Sequence, residues 1–298
     1  MSTAPVIETQ NLTKRFRDQE AVSCLNLRVE AQQITGFLGR NGAGKSTTIK
    51  MLLGMVHPSA GTGSVLGRAI AEPRENRVVR ERIAYVGEDK PLYDYMTVAQ
   101  LIRFTRTFYK DWRADAEHRL LAQYKLPRYR KIRALSKGMR TKCALLVALA
   151  RRPELLILDE PSEGLDPVAV EELLQSLIEA AAEGTTVFFS SHQIVEVERI
   201  ADRACIIDQG RLVADIILDE MRQAYRRITF SFNSAPLEAE FRMQGVESIR
   251  TSGRQLTLLA SQNSDAIVEL GRSLGAISVE VAPVGLRETF LQVVKEER

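Results

Sequence analysis

The segment QITGFLGRNGAGKST, residues 33–47, decides the fold of this chain. Its first half is a short apolar run, Ile34 to Leu38, which predicts a buried β-strand. Its second half matches the pattern G-x-x-x-x-G-K-[ST], and the residues from Ser46 to Met55 then continue at helical spacing. A strand, a glycine-rich loop and a helix in this order predict a phosphate-binding loop within an α/β domain.

This loop carries the chemistry that holds a polyphosphate. Its glycines let the backbone curl so that successive N–H groups converge on phosphate oxygens, and the following helix adds the positive end of its dipole. Lys45 is placed to reach the β- and γ-phosphates, and the hydroxyl of Ser46 to ligate Mg²⁺. A chance glycine turn is the alternative, but loop, lysine, hydroxyl and flanking elements all agree. The predicted phosphate-binding residues are Gly39, Asn41, Gly42, Ala43, Gly44, Lys45, Ser46 and Thr47.

Two adjacent carboxylates end another apolar strand, Leu155 to Leu158. Buried strands rarely end in paired acids unless a cation lies nearby. Asp159 fits a ligand that holds Mg²⁺ through water. Strand alternation points Glu160 the other way, where it could polarise the attacking water as a general base. The alternative interpretation is a solvated strand end.

His192 follows a third apolar strand, Val187 to Ser191. A lone histidine is more often a structural residue than a functional one. Its place at the carboxyl end of a strand, where α/β sheets hold ligands, favours a catalytic role. His57 and His118 have no such setting, and we interpret them as structural.

The composition excludes several classes of protein. The chain has 298 residues, of which 45% are hydrophobic and 27% charged, and its net charge is +3. Its longest apolar run, Cys143 to Ala150, has eight residues, whereas a membrane-spanning helix needs about 20. We therefore expect a chain that does not cross a membrane by itself, and the first ten residues resemble no secretory signal. Three scattered cysteines are typical of a reduced cytoplasmic protein without disulfides or zinc.

The pattern of elements predicts two domains, 1–222 and 223–298. A helical interval at about 97–150 lies between apolar strands and is interpreted as an insertion in a mostly parallel sheet. The second domain has the order β-α-β-β-α-β, which predicts a small α+β ferredoxin-like module. Its expected elements are Ile228–Phe232, Pro236–Met243, Ser248–Thr251, Gln255–Leu259, Asp265–Leu274, Ile277–Val281 and Leu286–Val294.

Five motifs occur in one order along the chain. They are the phosphate loop Gly39–Thr47, Leu135–Met139, Leu155–Pro161, the tetrapeptide at 164–167, and His192. Together they resemble an ABC transporter ATP-binding subunit, from about Val6 to Leu212. The resemblance implies a RecA-like P-loop core with a helical subdomain. It also implies ATP and Mg²⁺ as cofactors, and two subunits that stack head to tail around two ATP molecules.

The resemblance also implies roles for individual residues. Ser136 and Gly138 would contact the γ-phosphate bound to the second subunit, and Asp166 would couple the two sites. His192 would hold the γ-phosphate and position the water. Phe16 stands where the family usually stacks an aromatic ring on adenine.

The sequence departs from the family pattern at three places. Lys137 and Met139 are the third and fifth residues of Leu135–Met139, where the usual segment is Leu-Ser-Gly-Gly-Gln. Glu163 stands where a serine is usual. Glu88 replaces a usual glutamine, and we keep it as a metal candidate because a glutamate can ligate Mg²⁺ or a water.

Two further segments leave alternatives open. Leu286–Leu291 resembles the closing segment of ATPase subunits of the ABC-2 exporter type, but an amphipathic helix packed on its own sheet would look the same. Lys125–Lys142 holds eight basic residues and no acid. It is either a solvated face, or a surface that attracts ATP, or a nucleic-acid site. Few aromatic residues lie among these basic residues, which argues against nucleic acid as a partner.

These features predict an ATPase that powers a separate membrane permease, as an exporter, through ATP-driven dimer closure. Its partners would be that permease and a second ATPase subunit, identical or not. It would sit at the inner face of the cell membrane, docked through the helical insertion and Tyr85–Thr97, with Pro91–Tyr93 as an apolar contact. The rival from another class is a soluble ABC-type ATPase that acts on ribosomes or DNA. A P-loop kinase would lack the Ser136 motif.

Overall fold

A computed structural model describes residues 4–17, 19–72, 79–89, 91–234, 236 and 238–286. The chain divides into two compact units, Met1–Asp215 and Ile216–Arg298. The boundary predicted at 222/223 falls inside a helix, Leu218–Ala224, that belongs wholly to the second unit. No helix in the described ranges is both long and apolar enough to cross a membrane.

The first unit is built on a six-stranded sheet. Its strands follow the spatial order β11-β10-β4-β9-β8-β7, and the four pairs from β10 to β7 are parallel. Every residue of β4, β8 and β9 is buried, which confirms the predicted buried parallel sheet. The strands are β4 (Ile34–Leu38), β7 (Ile83–Val86), β8 (Leu155–Leu158), β9 (Thr186–Ser191), β10 (Arg203–Asp208) and β11 (Arg211–Ile217).

A second, antiparallel sheet covers the phosphate-loop helix α1 (Lys45–Leu52). Apolar side chains of both sheets and of α1 form one core, in which the rings of Phe37 and Phe188 lie 5.4 Å apart. This core fixes the strand that precedes the phosphate loop and the helix that follows it. The strands of this sheet are β1 (Ile7–Phe16), β2 (Gln19–Leu25), β3 (Arg28–Val29), β5 (Ala60–Val65) and β6 (Arg68–Ala69).

Among the described residues, three α-helices lie between β7 and β8, in the interval for which the sequence predicts a helical insertion. They are α2 (Val98–Arg106), α3 (Ala114–Gln123) and α4 (Lys137–Leu149). A capping box starts α2, because the Thr97 side chain accepts from the Gln100 amide and the Gln100 side chain accepts in return. Two further helices of this unit are α5 (Pro167–Ala182) and α6 (Ile194–Ile200).

The second unit is a four-stranded antiparallel sheet of ferredoxin-like topology. Its strand order is β13-β14-β12-β15. The third strand in sequence, β14, therefore lies between β12 and β13 and splits the β-α-β unit. Its elements are α7 (Leu218–Ala224), β12 (Arg226–Ser231), β13 (Val246–Ser252), β14 (Gln255–Ala260), α8 (Ser264–Ser273) and β15 (Ser278–Pro283).

The helix predicted at Pro236–Met243 was wrong in extent. The structure has a single 3₁₀ turn, Glu238–Phe241, whose Phe241 packs 5.2 Å from the ring of Phe230. Phe241 belongs to the apolar core of this sheet together with Ile267 of α8, and Gly245 with φ 93° then turns the chain into β13. Of the last predicted helix, Leu286–Val294, all but Leu286 lies outside the described residues.

Candidate nucleotide site

A cavity of about 800 Å³ opens at the carboxyl end of the central sheet, beside the phosphate loop. Nine of the predicted site residues line it: Phe16, Asn41, Gly42, Gly44, Lys45, Ser46, Thr47, Glu88 and Glu160. Five residues that sequence reasoning had not placed there also line it: Gln19, Glu20, Ala21, Glu163 and Gln209. We call this cavity the nucleotide cleft.

The loop backbone takes the strained conformation that its glycines permit. Gly44 has φ 106°, and a Cβ at this position would lie 2.5 Å from the carbonyl oxygen of Ala21. No other residue could occupy this point, because both the dihedral angle and the contact exclude a side chain. Gly39 and Ala43 stand behind the lining: Gly39 donates to the carbonyl of Ser191, and the carbonyl of Ala43 accepts from Gly210.

The amine of Lys45 is buried at the bottom of the nucleotide cleft. Nζ donates to the carbonyl of Gly39 at 2.6 Å and to that of Arg40 at 3.1 Å. It also lies 2.9 Å from Oε1 of Glu160, in an ion pair whose side chains are 5% and 7% exposed. The cation of the loop therefore lies beside the carboxylates that follow β8.

Asp159 and Ser46 meet as the sequence predicts for a metal site. The Ser46 hydroxyl donates to Oδ1 of Asp159 at 3.1 Å, and the buried Ser190 hydroxyl donates to the same oxygen at 2.8 Å. A hydroxyl and a carboxylate are hard oxygen donors of the kind that Mg²⁺ prefers, usually beside phosphate oxygens and water. This donor set fits Mg²⁺.

Glu160 is oriented by its own backbone rather than by strand alternation. β8 ends at Leu158, and Glu160 has φ 45°, in the left-handed region. Its N–H donates to the Ser190 hydroxyl at 2.9 Å, and its Oε2 lies 2.8 Å from Nδ1 of His192. Alternation was thus the wrong reason for its direction, because the strand stops before it. The turn aims the carboxylate between a lysine and a histidine.

Ser190 is a site residue that sequence reasoning missed. It is fully buried and bridges the carboxylate of Asp159 and the backbone of Glu160. The signal was present, since a hydroxyl at the carboxyl end of a buried strand is unusual and His192 follows two residues later. Only the pairing of β8 with β9 shows which groups that hydroxyl reaches.

Comparison with known proteins agrees with this geometry. The family model described as ABC transporter matches residues 22–163. The Nod factor export ATP-binding protein I of Neorhizobium galegae is 34% identical over 300 residues, which cover 98% of this chain and 85% of that protein. The chain belongs to the ABC transporter ATP-binding proteins.

Two further similarities extend over most of this ABC ATPase. The ABC transporter ATP-binding protein YtrB of Bacillus subtilis (strain 168) is 28% identical over 96% of this chain and 97% of its own length. The solved structure of an ATP binding subunit of an ABC transporter is 31% identical, with a TM-score of 0.66, over 73% of this chain and 92% of its own. The RecA-like P-loop core is therefore confirmed, and with it the assignment as an ATPase.

The two unusual glutamates of this ABC ATPase face each other at the cleft. The carboxyl of Glu88 hydrogen-bonds that of Glu163, which raises the pKa of Glu88, and burial and the charge of Glu163 act in the same direction. Phe16 also lines the cleft and is half exposed, with Nζ of Lys14 4.9 Å from its ring centroid. An exposed ring at the cleft is suited to stacking on a base.

Ser136, Gly138 and Asp166 are absent from the cleft lining among the residues described. Ser136 caps α4 by accepting from the Met139 amide at 3.2 Å, and Asp166 caps α5 by accepting from the Ala169 amide at 3.0 Å. A Cβ on Gly138 would lie 3.6 Å from Cβ of Ala169, so the two helix starts are adjacent. Within one chain these residues form a surface separate from the nucleotide cleft.

Proposed function

We propose that this ABC ATPase hydrolyses ATP in the nucleotide cleft to power a separate membrane permease that exports its cargo. The observation that carries the proposal is the convergence of Lys45, Asp159, Glu160 and His192 at one end of the phosphate loop. The exporter subtype is supported by the Nod factor export protein, whose similarity runs along nearly the whole chain.

Each group in the cleft has a distinct task in this proposal. Adenine stacks on Phe16, and the loop amides with Lys45 hold the phosphates. Ser46 and Asp159 would hold Mg²⁺, with Glu88 as a further ligand reached directly or through water, and the bound ion would supply neutralisation of the charge that develops on the phosphate oxygens. Glu160 accepts the proton of the attacking water, and His192 holds that carboxylate in place and contacts the γ-phosphate.

The ion pair between Lys45 and Glu160 gives the cycle a defined first step. A bound γ-phosphate attracts the Lys45 amine, so Glu160 is released from it and becomes available as a base. The carboxylate keeps its contact to His192, which is independent of Lys45. Binding of ATP thereby assembles the catalytic arrangement that water attack needs.

A second copy or a related ATPase subunit would complete the site. Ser136 caps the 13-residue helix α4, and a helix N-terminus attracts anions through its free amides and dipole. In the proposed dimer this surface, with Gly138, meets the γ-phosphate bound to the other subunit. Asp166 lies at the adjacent start of α5 and couples the two sites.

An exposed row of aromatic rings supports docking to the permease. Tyr95 and Phe108 are 67% and 65% exposed, and Tyr93 and Phe104 connect them through centroid distances of 6.0, 5.4 and 5.1 Å. Contiguous exposed aromatic surface marks interaction sites on soluble domains. A cytoplasmic helix of the permease would lie along this row, and the ATPase would be held at the inner face of the membrane.

The test is purification of the tagged chain from detergent-solubilised membranes of its native host. We expect a polytopic membrane protein to co-purify in a fixed ratio, and we expect the variant Tyr95→Ser/Phe108→Ser to lose it while still binding ATP. An exposed ring elsewhere, as in Tyr129→Ser, provides the control. If the chain co-purified with ribosomes or DNA instead, the result would favour the soluble ATPase. If the chain purified without any partner, the result would contradict the docking surface.

A further inference from the structure

A buried carboxylate connects the two loops that carry the proposed base and the proposed catalytic histidine. Glu196, in α6, is 5% exposed. Its Oε2 accepts a hydrogen bond from the Ser162 hydroxyl at 2.8 Å and another from the Ser191 hydroxyl at 2.9 Å. Ser162 stands two residues after Glu160. Ser191 ends β9 and stands directly before His192. One oxygen atom of Glu196 thus joins the two loops.

The position of Glu196 is fixed by the packing of its helix. The next residue, Val197, is fully buried, and a Cβ placed on Gly36 of β4 would lie 2.4 Å from its Cγ1. Because no larger residue than glycine fits at this point, α6 lies directly on the strand that leads into the phosphate loop. The carboxylate of Glu196 therefore cannot move away from the two serines unless α6 moves on the sheet.

Packing alone does not explain a glutamate at this position. Within the described part of the chain Glu196 forms no ion pair, and its second oxygen, Oε1, is buried without a hydrogen-bond partner. Burial of a carboxylate in this state costs stability. Sequences keep such costly groups mainly at functional sites. What this glutamate supplies is the pair of hydrogen bonds that its Oε2 accepts.

We propose that Glu196 is a positioning residue for hydrolysis, which holds the loop of Glu160 and the loop of His192 in register. Oε2 of Glu160 lies 2.8 Å from Nδ1 of His192. These two side chains come from separate loops, so their contact depends on the distance between the loops. Glu196 is absent from the described lining of the nucleotide cleft, and it therefore acts through the loops. This inference rests on the proposed roles of Glu160 and His192.

Backbone hydrogen bonds extend the connection on both sides. The carbonyl of Ser191 accepts from the amide of Gly39, the first residue of the phosphate loop, at 3.2 Å. The carbonyl of Ser162 accepts from the amide of Leu165 at 3.1 Å, one residue before the Asp166 cap of α5. A shift of one loop is therefore transmitted to the other, and both loops lose this coupling when the acceptor on α6 is removed.

Loss of the acceptor should slow hydrolysis more than it weakens nucleotide binding. The proposed phosphate contacts of Lys45 and the loop amides stay in place, whereas the base and the histidine are no longer held at a fixed distance. A change in a residue that orients a reactive group costs about 10- to 100-fold in activity. The expected signature of the positioning role is a lower kcat at a nearly unchanged KM.

The experiment compares Glu196→Met with Glu196→Gln in the full chain, with Mg-ATP as substrate. The methionine has a similar length but is only a weak acceptor, whereas the glutamine keeps an oxygen for the two serines. Glu196→Met is expected to lower kcat about 10- to 100-fold, and Glu196→Gln to retain most of the turnover. In the background Ser162→Ala, in which the link between the loops is already broken, Glu196→Met is expected to have little further effect.

A matched control and a second readout separate positioning from stability. Glu117 is also buried, and it accepts from Nε1 of Trp112 at 2.8 Å within the helical insertion. Glu117→Met is expected to lower the melting temperature and to leave kcat unchanged. The chain has three histidines, whose ring signals are measured by nuclear magnetic resonance without any turnover. Glu196→Met is expected to shift the ring signals of His192 and to leave those of the other two unchanged.

Three results would overturn the inference. A lower melting temperature with unchanged kcat and unchanged His192 signals would show that Glu196 is only structural. An equal loss of kcat in the Ser162→Ala background would show that the effect does not pass through Ser162. A raised KM at normal kcat would assign Glu196 to nucleotide binding instead. Normal turnover by Glu160→Gln is a separate outcome, which would reject the proposed base on which the inference rests.

Discussion

Nζ of Lys45 lies 2.9 Å from Oε1 of Glu160, and both side chains are almost completely buried. The residue proposed to bind the phosphates is therefore paired with the residue proposed as the base. Opposite charges in such a site hold each other strongly, because little water screens them. The two proposed roles are thus linked through one contact, and variants at its two ends should behave differently.

Glu160→Gln should abolish most turnover without loss of ATP binding. The amide keeps the size and hydrogen bonding of the side chain but cannot accept a proton, and loss of a general base costs about 10²- to 10⁴-fold in rate. It also releases Lys45 from its ion pair and removes a charge that repels the γ-phosphate. The variant should bind ATP at least as tightly as the wild type and accumulate as an ATP-bound dimer.

Phosphate release and gel filtration with Mg-ATP measure these two effects. Glu171→Gln is the control, since Glu171 is exposed and pairs with Arg199. Normal hydrolysis by Glu160→Gln would reject the base. Tight binding by a variant that stays monomeric, with the permease present, would reject the composite dimer.

Lys45→Met should lose ATP binding and also stability. It removes the cation proposed to face the phosphates. Among the described residues, it leaves the buried carboxylate of Glu160 with His192 as its one remaining ion-pair partner. An uncompensated buried charge costs about 3–5 kcal/mol of unfolding free energy. The double variant Lys45→Met/Glu160→Gln should recover most of that stability while still failing to bind ATP. Urea unfolding measures the difference, and equal stabilities for the single and double variants would contradict the ion pair.

Ser190→Ala should reduce turnover more than it reduces nucleotide affinity. The substitution removes a donor to Asp159 and leaves the Glu160 amide without its acceptor. An unsatisfied buried group costs about 1–3 kcal/mol in stability. Ser176→Ala is the matched control, because that buried hydroxyl accepts from Tyr124 at 2.7 Å, away from the cleft. Both variants should have a lower melting temperature than the wild type, and only Ser190→Ala should lower kcat.

Thiol reactivity tests the fold of the first unit. Cys24 is exposed, whereas Cys143 and Cys205 are buried. Burial raises the pKa of Cys143 to about 12 and also raises that of Cys205, so neither forms the reactive thiolate near neutral pH. A thiol reagent should modify one cysteine in the native protein and all three in urea, and Cys24→Ser should remove the native reaction. Rapid native modification of a second thiol would contradict the packing around it.

A chain that ends at Ile217 should fold and bind ATP. This cut keeps β11 whole and leaves every lining residue of the nucleotide cleft in place. The two units have separate apolar cores, since the second is built around Phe230, Phe241 and Ile267. Circular dichroism and ATP-analogue binding measure the outcome. Unfolding of the shortened chain would show that the first unit depends on the second.

Local patterns in the sequence were enough to predict the phosphate loop and its flanking elements. The strand before Gly39, the loop itself and the helix from Lys45 are neighbours along the chain, and their periodicity and glycines determine their shape. The same holds for the buried strands that precede Asp159 and His192. Predictions from short segments succeed here because the interactions that form these elements are local.

The tertiary structure decided which distant residues meet. Pairing of β9 with both β4 and β8 brings Glu160 to both Lys45 and His192, and it makes Ser190 part of the site. The single turn at Glu238–Phe241 and the place of Lys137 beside Gly164 also depend on contacts between separate segments. Periodicity reports which face of an element is apolar, but not which element it packs against. That partner follows only from the packing of the whole sheet and its helices.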